Sequence, residues 1–179
     1  EVDVGLLLAA DSNSTVANKI IEIAEFRKDA VAFISPPRTA VVDNYGYEVD
    51  DIVAFRNLLP STSYGVMDNN WKEQYDVYND VFRWVPINGD IGGLAARTDD
   101  ERDAWWSPAG YNRGILKNAP RLAWNARKSY RDQLYQNGVN SVITERGQGS
   151  LLLGDKTLLS KPSAFDRINV RRLFIVLRK

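Results

Sequence analysis

The chain contains no cysteine and no histidine, and these two absences remove most of the side chains that enzymes use as nucleophiles and bases. Without histidine there is no Ser-His-Asp or Cys-His site and no imidazole general base. Without cysteine there is no thiolate nucleophile, no zinc-thiolate or iron-sulfur ligation and no disulfide. Carboxylate, lysine, tyrosine and hydroxyl chemistry remain. The lack of disulfides leaves the redox compartment open, because a chain of 179 residues buries enough apolar surface to fold without staples. Long apolar runs are missing too. Residues 5–10 and 173–177 form the longest ones, far short of the roughly 20 residues with which a helix crosses a bilayer, so no membrane insertion is expected. Net charge is also absent, with 23 Lys+Arg against 23 Asp+Glu. A dedicated polyanion binder carries a global basic excess, so no nucleic-acid partner is expected.

That neutrality conceals an asymmetry. Residues 1–90 hold 15 acidic and 7 basic side chains, net −8, whereas residues 91–179 hold 8 acidic and 16 basic ones, net +8. Opposite poles on one chain suit self-association. The length fits a single domain over 1–179, with no internal repeat or low-complexity linker. Glu1 is not a start methionine, and Val170, Leu173, Phe174 and Leu177 recur at helical spacing up to Arg178 and Lys179 with no stop signal behind them. The domain is therefore expected to be a piece of a longer chain.

The N-terminal third alternates strand and helix signals. Residues 2–10 (VDVGLLLAA) form an apolar run ending in Asp11-Ser12-Asn13-Ser14, a strand followed by helix-capping residues. Residues 15–29 place Val16, Ile20, Ile23 and Ala24 on one helical face. Residues 30–34 (AVAFI) read as a second strand, and 48–59 as a shorter helix before Pro60. Strand-helix-strand-helix order predicts parallel strands with helical crossovers. Beyond Pro60, SYGVMD, QYDVYN and VFRWVPI are aromatic-rich alternating segments separated by Asp68-Asn69-Asn70 and Asn79-Asp80, which predicts strands joined by hairpin turns. A helix over 89–102, an irregular WWSPAGYNRG segment, a helix over 125–137 stopped by Gly138, strands at 141–144 and 151–153, and a final helix over 165–179 complete the reading. The fold class is α/β: a mixed β-sheet core flanked by helices, with an aromatic-rich β-hairpin region.

Motifs with a chemical meaning are few. Residues 149–157 (GSLLLGDKT) come within one inserted residue of a phosphate-binding loop, but Asp155 would set a carboxylate against the phosphates and three leucines occupy the turn. An apolar strand running into a turn accounts for them. Asp99, Asp100, Glu101 and Asp103 lack the spacing of a calcium loop and read as a solvated acidic face. Arg121, Arg127, Lys128 and Arg131, interleaved with Trp124 and Tyr130, read as a solvated helix face or a protein interface. No catalytic residue, metal site or cofactor is assigned. Trp105 and Trp106 lie in a Pro/Gly-containing loop, where large rings either anchor irregular backbone or fill a partner's pocket.

Five ordered segments carry a family resemblance: QYDVYNDVFRWVPINGDIGGLAARTD at 74–99, WWSPAGYNRG at 105–114, RDQLYQNGVN at 131–140, GDKT at 154–157 and FDRINVRRLF at 165–174. From about Ser63 to Phe174 the chain resembles the core of the tail sheath proteins of contractile-tailed bacteriophages. The resemblance implies a structural, non-enzymatic virion protein, made in the host cytoplasm, that stacks as six-membered rings around an inner tail tube. It implies self-association, tail-tube, baseplate and tail-terminator partners, and contraction that drives the tube through the host envelope. Sheath proteins of this kind continue past the Arg-Arg helix into a C-terminal arm, which is missing here. On this basis Arg171, Arg172, Arg178 and Lys179, with Trp105 and Trp106, are candidate interface residues; the alternative for Arg172 and Lys179 is a solvated face opposite Val170 and Leu173. Two other readings stay open. A sheath from a pyocin-like injection machine has the same sequence logic. A small carboxylate-dependent α/β enzyme predicts a concave pocket lined by paired, perturbed carboxylates.

Overall fold

The computed structural model describes residues 4–178. Its centre is a parallel sheet of β1 (Leu6–Ala9), β2 (Val31–Ile34), β3 (Gly65–Asp68) and β7 (Val139–Asn140), in the order β1-β2-β3-β7. Leu6 pairs with Val31, Ala32 with Gly65 and Met67 with Val139. The crossovers are α1 (Ser14–Arg27) and α2 (Glu48–Asn57), as the strand-helix alternation predicts. Residues 2 and 3 of the first predicted strand lie outside the described residues.

Side chains alternate across the sheet and build a core on each side. Ala32, Ile34, Met67 and Val139 face Ala17, Ile21 and Ala24 of α1, Ile52 and Phe55 of α2, and Leu134 of α4 (Lys128–Gln136). Val31, Phe33 and Val66 face Ile91, Leu94 and Ala95 of α3 (Asn88–Glu101) and Ile168 and Ile175 of α5 (Ile168–Arg178). The stripe that α1 buries differs from the predicted one. Ala17, Ile21 and Ala24 are fully covered, while Val16 and Ile23 are exposed. Two alanines one turn either side of Ile21 let the helix approach the sheet closely, which the bulkier residues at 16 and 23 would prevent. Asn13 caps this helix, its Oδ1 accepting from the Val16 amide at 3.0 Å.

The second difference concerns Asp68-Asn69-Asn70. These residues do not turn a hairpin; β3 belongs to the parallel sheet, and the chain there passes into a second sheet of β5 (Val81–Pro86), β4 (Trp71–Asp76) and β6 (Arg121–Leu122). β4 and β5 pair antiparallel along their whole length, from Trp71 opposite Pro86 to Asp76 opposite Val81. The root of this pair is fixed to the body. Trp71 is buried and its indole donates to the Pro36 carbonyl at 2.8 Å, while Lys72 pairs with Asp90 of α3 at 2.8 Å.

Residues 103–120 carry little regular structure and lie against a third, two-stranded sheet, β8 (Val142–Glu145) with β9 (Gly149–Leu152). Gly110 donates to the Leu152 carbonyl at 2.9 Å and Leu152 to that of Gly114 at 2.8 Å. A Cβ on Gly114 would sit 2.2 Å from the Leu152 oxygen, so this loop docks only with glycine there. Gly138, with φ +77, ends α4 as predicted. The GDKT segment leaves β9 as irregular chain and not as the expected turn: Lys156 bridges antiparallel to Arg167, Asp155 pairs with Arg167, and the buried Thr157 hydroxyl donates to the Phe165 carbonyl at 3.0 Å.

Candidate functional site

In open α/β sheets, ligands bind in the crevice beyond the carboxyl ends of the strands. Here that edge is filled by polar side chains bonded to one another. Asp68, at the end of β3, accepts from the Ser35 hydroxyl at 2.7 Å and from the Asn70 amide at 3.0 Å. Ser35 Oγ in turn accepts from the Asn88 amide at 3.0 Å, and the Asn88 side chain donates to the Ala9 carbonyl. Asn140 donates to the Met67 and Lys156 carbonyls and accepts from the Lys156 amide. Asp68 is 1% exposed and Asn140 fully buried. Burial pushes the Asp68 carboxyl up to about 7, against the lowering effect of the Ser35 and Asn70 hydrogen bonds, with a smaller upward contribution from Asp90. No substrate reaches so buried a carboxyl, so its perturbation reflects packing. Among the described residues the other strongly shifted carboxyl, Asp76, is half-buried on the hairpin and held down at about 2 by hydrogen bonds from Asn79 and Arg83. The two share no pocket, contrary to what a paired-carboxylate enzyme requires.

The exposed apolar side chains gather elsewhere. At the outer end of the β4–β5 hairpin, Tyr75, Val77, Val81 and Phe82 are exposed and Tyr78 is 99% exposed. Tyr75 and Phe82 meet across the strands with their rings tilted at 51° and 5.1 Å apart, and Asp76 and Asp80 flank the turn. A second cluster lies along α5, beside Lys28 at the C-cap of α1. It borders a groove of about 420 Å³ lined by Lys28, Tyr64, Phe165, Arg171, Phe174 and Leu177 among others, while Phe26, 88% exposed, lines a separate recess with Glu22, Glu25 and Lys28. The hairpin aromatics had a signal in the sequence, since Val77 and Tyr78 are apolar residues at a turn where polar ones are expected.

The predicted interface residues divide into held and free ones. Arg172 is buried, pairing with Asp99 of α3 and donating to the Ala95 carbonyl; this differs from the solvated face considered as its alternative. Ile168, Arg172 and Ile175 form one buried stripe of α5, so the guanidinium replaces an apolar residue in the packing. Arg171 donates to Ser63 Oγ and the Tyr64 hydroxyl and lies 4.3 Å over the Tyr64 ring and 4.4 Å over that of Phe165. Burial lowers its pKa. Arg178 is exposed beside the α5 groove, and Lys179 lies outside the described residues. Trp105 is 48% exposed and meets Trp106 edge-on at 5.2 Å. Trp106 sits between the guanidinium groups of Arg102 and Arg113, at 5.7 and 5.6 Å, in a groove of about 640 Å³. The Trp105 carbonyl accepts from Asn169 Nδ2 at 3.0 Å, which ties the loop to α5. Among the described residues no group of acidic side chains could hold a metal ion, and no helix is long and apolar enough to cross a membrane.

A sheet edge filled by side chains, with aromatic and charged residues displayed on the periphery, characterises this α/β domain. The family is shown by sequence: residues 5–158 match the model of the phage tail sheath protein central domain, and the chain belongs to the phage tail sheath protein family, a family of structural virion proteins and not of enzymes. It is 48% identical to the tail sheath protein of Vibrio phage KVP40, over 93% of this chain and 27% of that protein. It is 45% identical to the tail sheath protein of Enterobacteria phage T4, over 99% of this chain and 29% of that protein. The chain thus spans under a third of the length of these relatives. The fold matches the sheath complex of an extracellular contractile injection system in its contracted state, with a TM-score of 0.77 at 18% identity over 99% of this chain and 48% of that one. It also matches the contracted helical sheath of the anti-feeding prophage, with a TM-score of 0.71 at 17% identity over 98% of this chain and 44% of that one.

Proposed function

We propose that this chain is the core of a sheath subunit that polymerises as six-membered rings around a tail tube and, on a signal from the baseplate, shortens and drives the tube through the host envelope. The observation that carries this reading is the 45–48% identity to phage tail sheath proteins along most of the chain. Its partners are neighbouring sheath subunits, the tube protein, and the baseplate and terminator proteins at the two ends. The protein is made in the host cytoplasm and works in the virion tail. A contractile sheath holds two packings of one subunit, so each fold moves as a body while interfaces exchange partners. A domain cross-tied by Arg172–Asp99, Lys72–Asp90 and Arg171–Ser63 suits that demand. Arg178, Lys179 and Trp105 are the candidate intersubunit contacts among the predicted residues; Arg171 and Arg172 support the surface from beneath. The identity to phage sheaths favours a phage tail over a pyocin-like particle. Negative-stain microscopy of the purified full-length chain tests the proposal. Hollow, ringed tubes are the expected result, and a monodisperse monomer under every assembly condition overturns it.

A further inference from the structure

We infer that the outer end of the β4–β5 hairpin of one copy docks into the groove of the next along α5, beside the C-cap of α1, so that copies join head to tail. The inference rests on the sheath reading above and names one of its contacts. The two surfaces sit at opposite edges of the parallel sheet. The hairpin leaves from the carboxyl edge: Trp71 is anchored on Pro36 just after β2, and β5 runs into α3, whose Asn88 bonds Ala9 at the end of β1. Six paired positions carry its outer end about 17 Å from that root at roughly 3.3 Å per residue. The groove lies at the amino edge, because Lys28 ends α1 just before β2, and Tyr64 immediately precedes β3 and accepts from the Ala32 amide. A projection at one edge and a recess at the other are different patches, and a contact between different patches is heterologous and propagates without closing into a dimer.

The chemistry of the two surfaces is complementary. The hairpin offers Tyr78, Val77 and Phe82 with the carboxylates of Asp76 and Asp80 beside them. Arg83 pairs with Asp76, while Asp80 accepts from the Tyr75 hydroxyl and carries its charge at the turn. The groove offers the edge-on pair Phe165 and Phe174, 5.0 Å apart, together with Leu177. Lys28 and Arg178 set cations around its rim, Arg171 lies beneath against Tyr64 and Phe165, and the nearby carboxylates Asp29 and Asp166 are engaged by Arg27 and Arg167. An aromatic side chain entering between Phe165 and Leu177 extends an existing ring cluster, and the hairpin carboxylates meet the rim cations. Tyr78, Phe82 and Phe174 remain exposed within the chain's own fold. The arrangement also gives the sequence asymmetry a spatial form: the hairpin belongs to the acidic half, and Arg178 to the basic half.

The contact is tested on the full-length chain by placing benzoylphenylalanine at position 78, irradiating assembled polymer and mapping the crosslinked peptides by mass spectrometry. Position 78 is 99% exposed, so the label leaves the fold undisturbed. The expected product is a ladder of multimers, crosslinked from residue 78 of one copy to residues 26–28 or 165–178 of another. Crosslinks to other parts of a second copy, to another segment of the same chain or to the tube protein overturn the inference, as does polymer that yields no crosslink. In each of those cases the sheath reading stands, because polymer has formed. If the unmodified full-length chain forms no polymer, the sheath reading fails and this contact with it. Tyr78→Ser combined with Phe82→Thr supplies an independent arm: polymer yield is expected to drop about tenfold or more while thermal unfolding is unchanged. Normal yield from the double variant overturns the inference.

Discussion

Two regions that adjoin in space use their side chains in opposite ways. The carboxyl edge of the parallel sheet buries Ser35, Asp68, Asn70, Asn88 and Asn140 and bonds each to its surroundings. The hairpin that springs from this edge displays Tyr78 and Phe82 to solvent. Polar groups inside and aromatic ones outside invert the usual distribution, and each inversion has its own cost. A buried polar group left without a partner costs about 1–3 kcal/mol. An exposed aromatic costs the fold little and exposes the protein to association. Residues that keep the domain in one piece are therefore separable from residues that join it to others.

The largest expected effect is at Asn140. Replacing it with alanine strips partners from the Met67 and Lys156 carbonyls and the Lys156 amide. Denaturant unfolding should show a loss of about 4 kcal/mol, several bonds being broken at once in a closed site; a loss below about 1 kcal/mol would mean that water can enter this edge. Next comes Asp68. Its folded-state pKa of about 7 lies above the ordinary 3.8, so the folded protein holds the proton more tightly than the unfolded chain. Its stabilising contribution is complete below pH about 4, diminishes as pH rises towards 7, and is gone above that. Asp68→Asn, which keeps an acceptor for Asn70 and can donate to Ser35, should flatten the profile across this window. The difference between wild-type and variant unfolding curves should be on the order of 4 kcal/mol between pH 4 and pH 7.5. Coincident slopes would place the proton elsewhere. The smallest effect on folding belongs to the hairpin: Phe82→Thr should shift unfolding by no more than about 0.5 kcal/mol. A larger destabilisation would show that the hairpin aromatics hold the fold and would erase the contrast between the regions.

The sequence made the alternation of strands and crossover helices legible because each element there is short, bounded by caps or prolines, and paired with a near neighbour. It also disclosed the stop at Gly138 and the irregular Trp-Trp loop. Its error at residues 68–70 has a physical source. SYGVMD followed by asparagines fits a hairpin strand as well as an inner parallel strand, and the choice is made by β2 and β7, one of them more than seventy residues away. Arg172 was hidden for a similar reason. Its spacing from Ile168 and Ile175 puts it on the buried stripe of α5, but an arginine at such a position reads as solvent-facing until Asp99 is known to lie opposite. The surfaces were partly visible: the aromatic residues of QYDVYN stood out, whereas the groove along α5 needs Lys28, Tyr64, Phe165 and Phe174 brought together from distant segments.

Mechanically, the hairpin is a beam clamped at one end. Its root is gripped by the Trp71 indole, the Lys72–Asp90 pair and the short third strand β6, which reaches only Lys72 and Glu73. Beyond Glu73 the beam narrows to two strands, and two-stranded ribbons twist more readily than wider sheets. Compliance is thus concentrated in the outer half. A load applied near Tyr78 is taken up first as torsion between residues 74 and 83, and what remains reaches the body as a moment on α3.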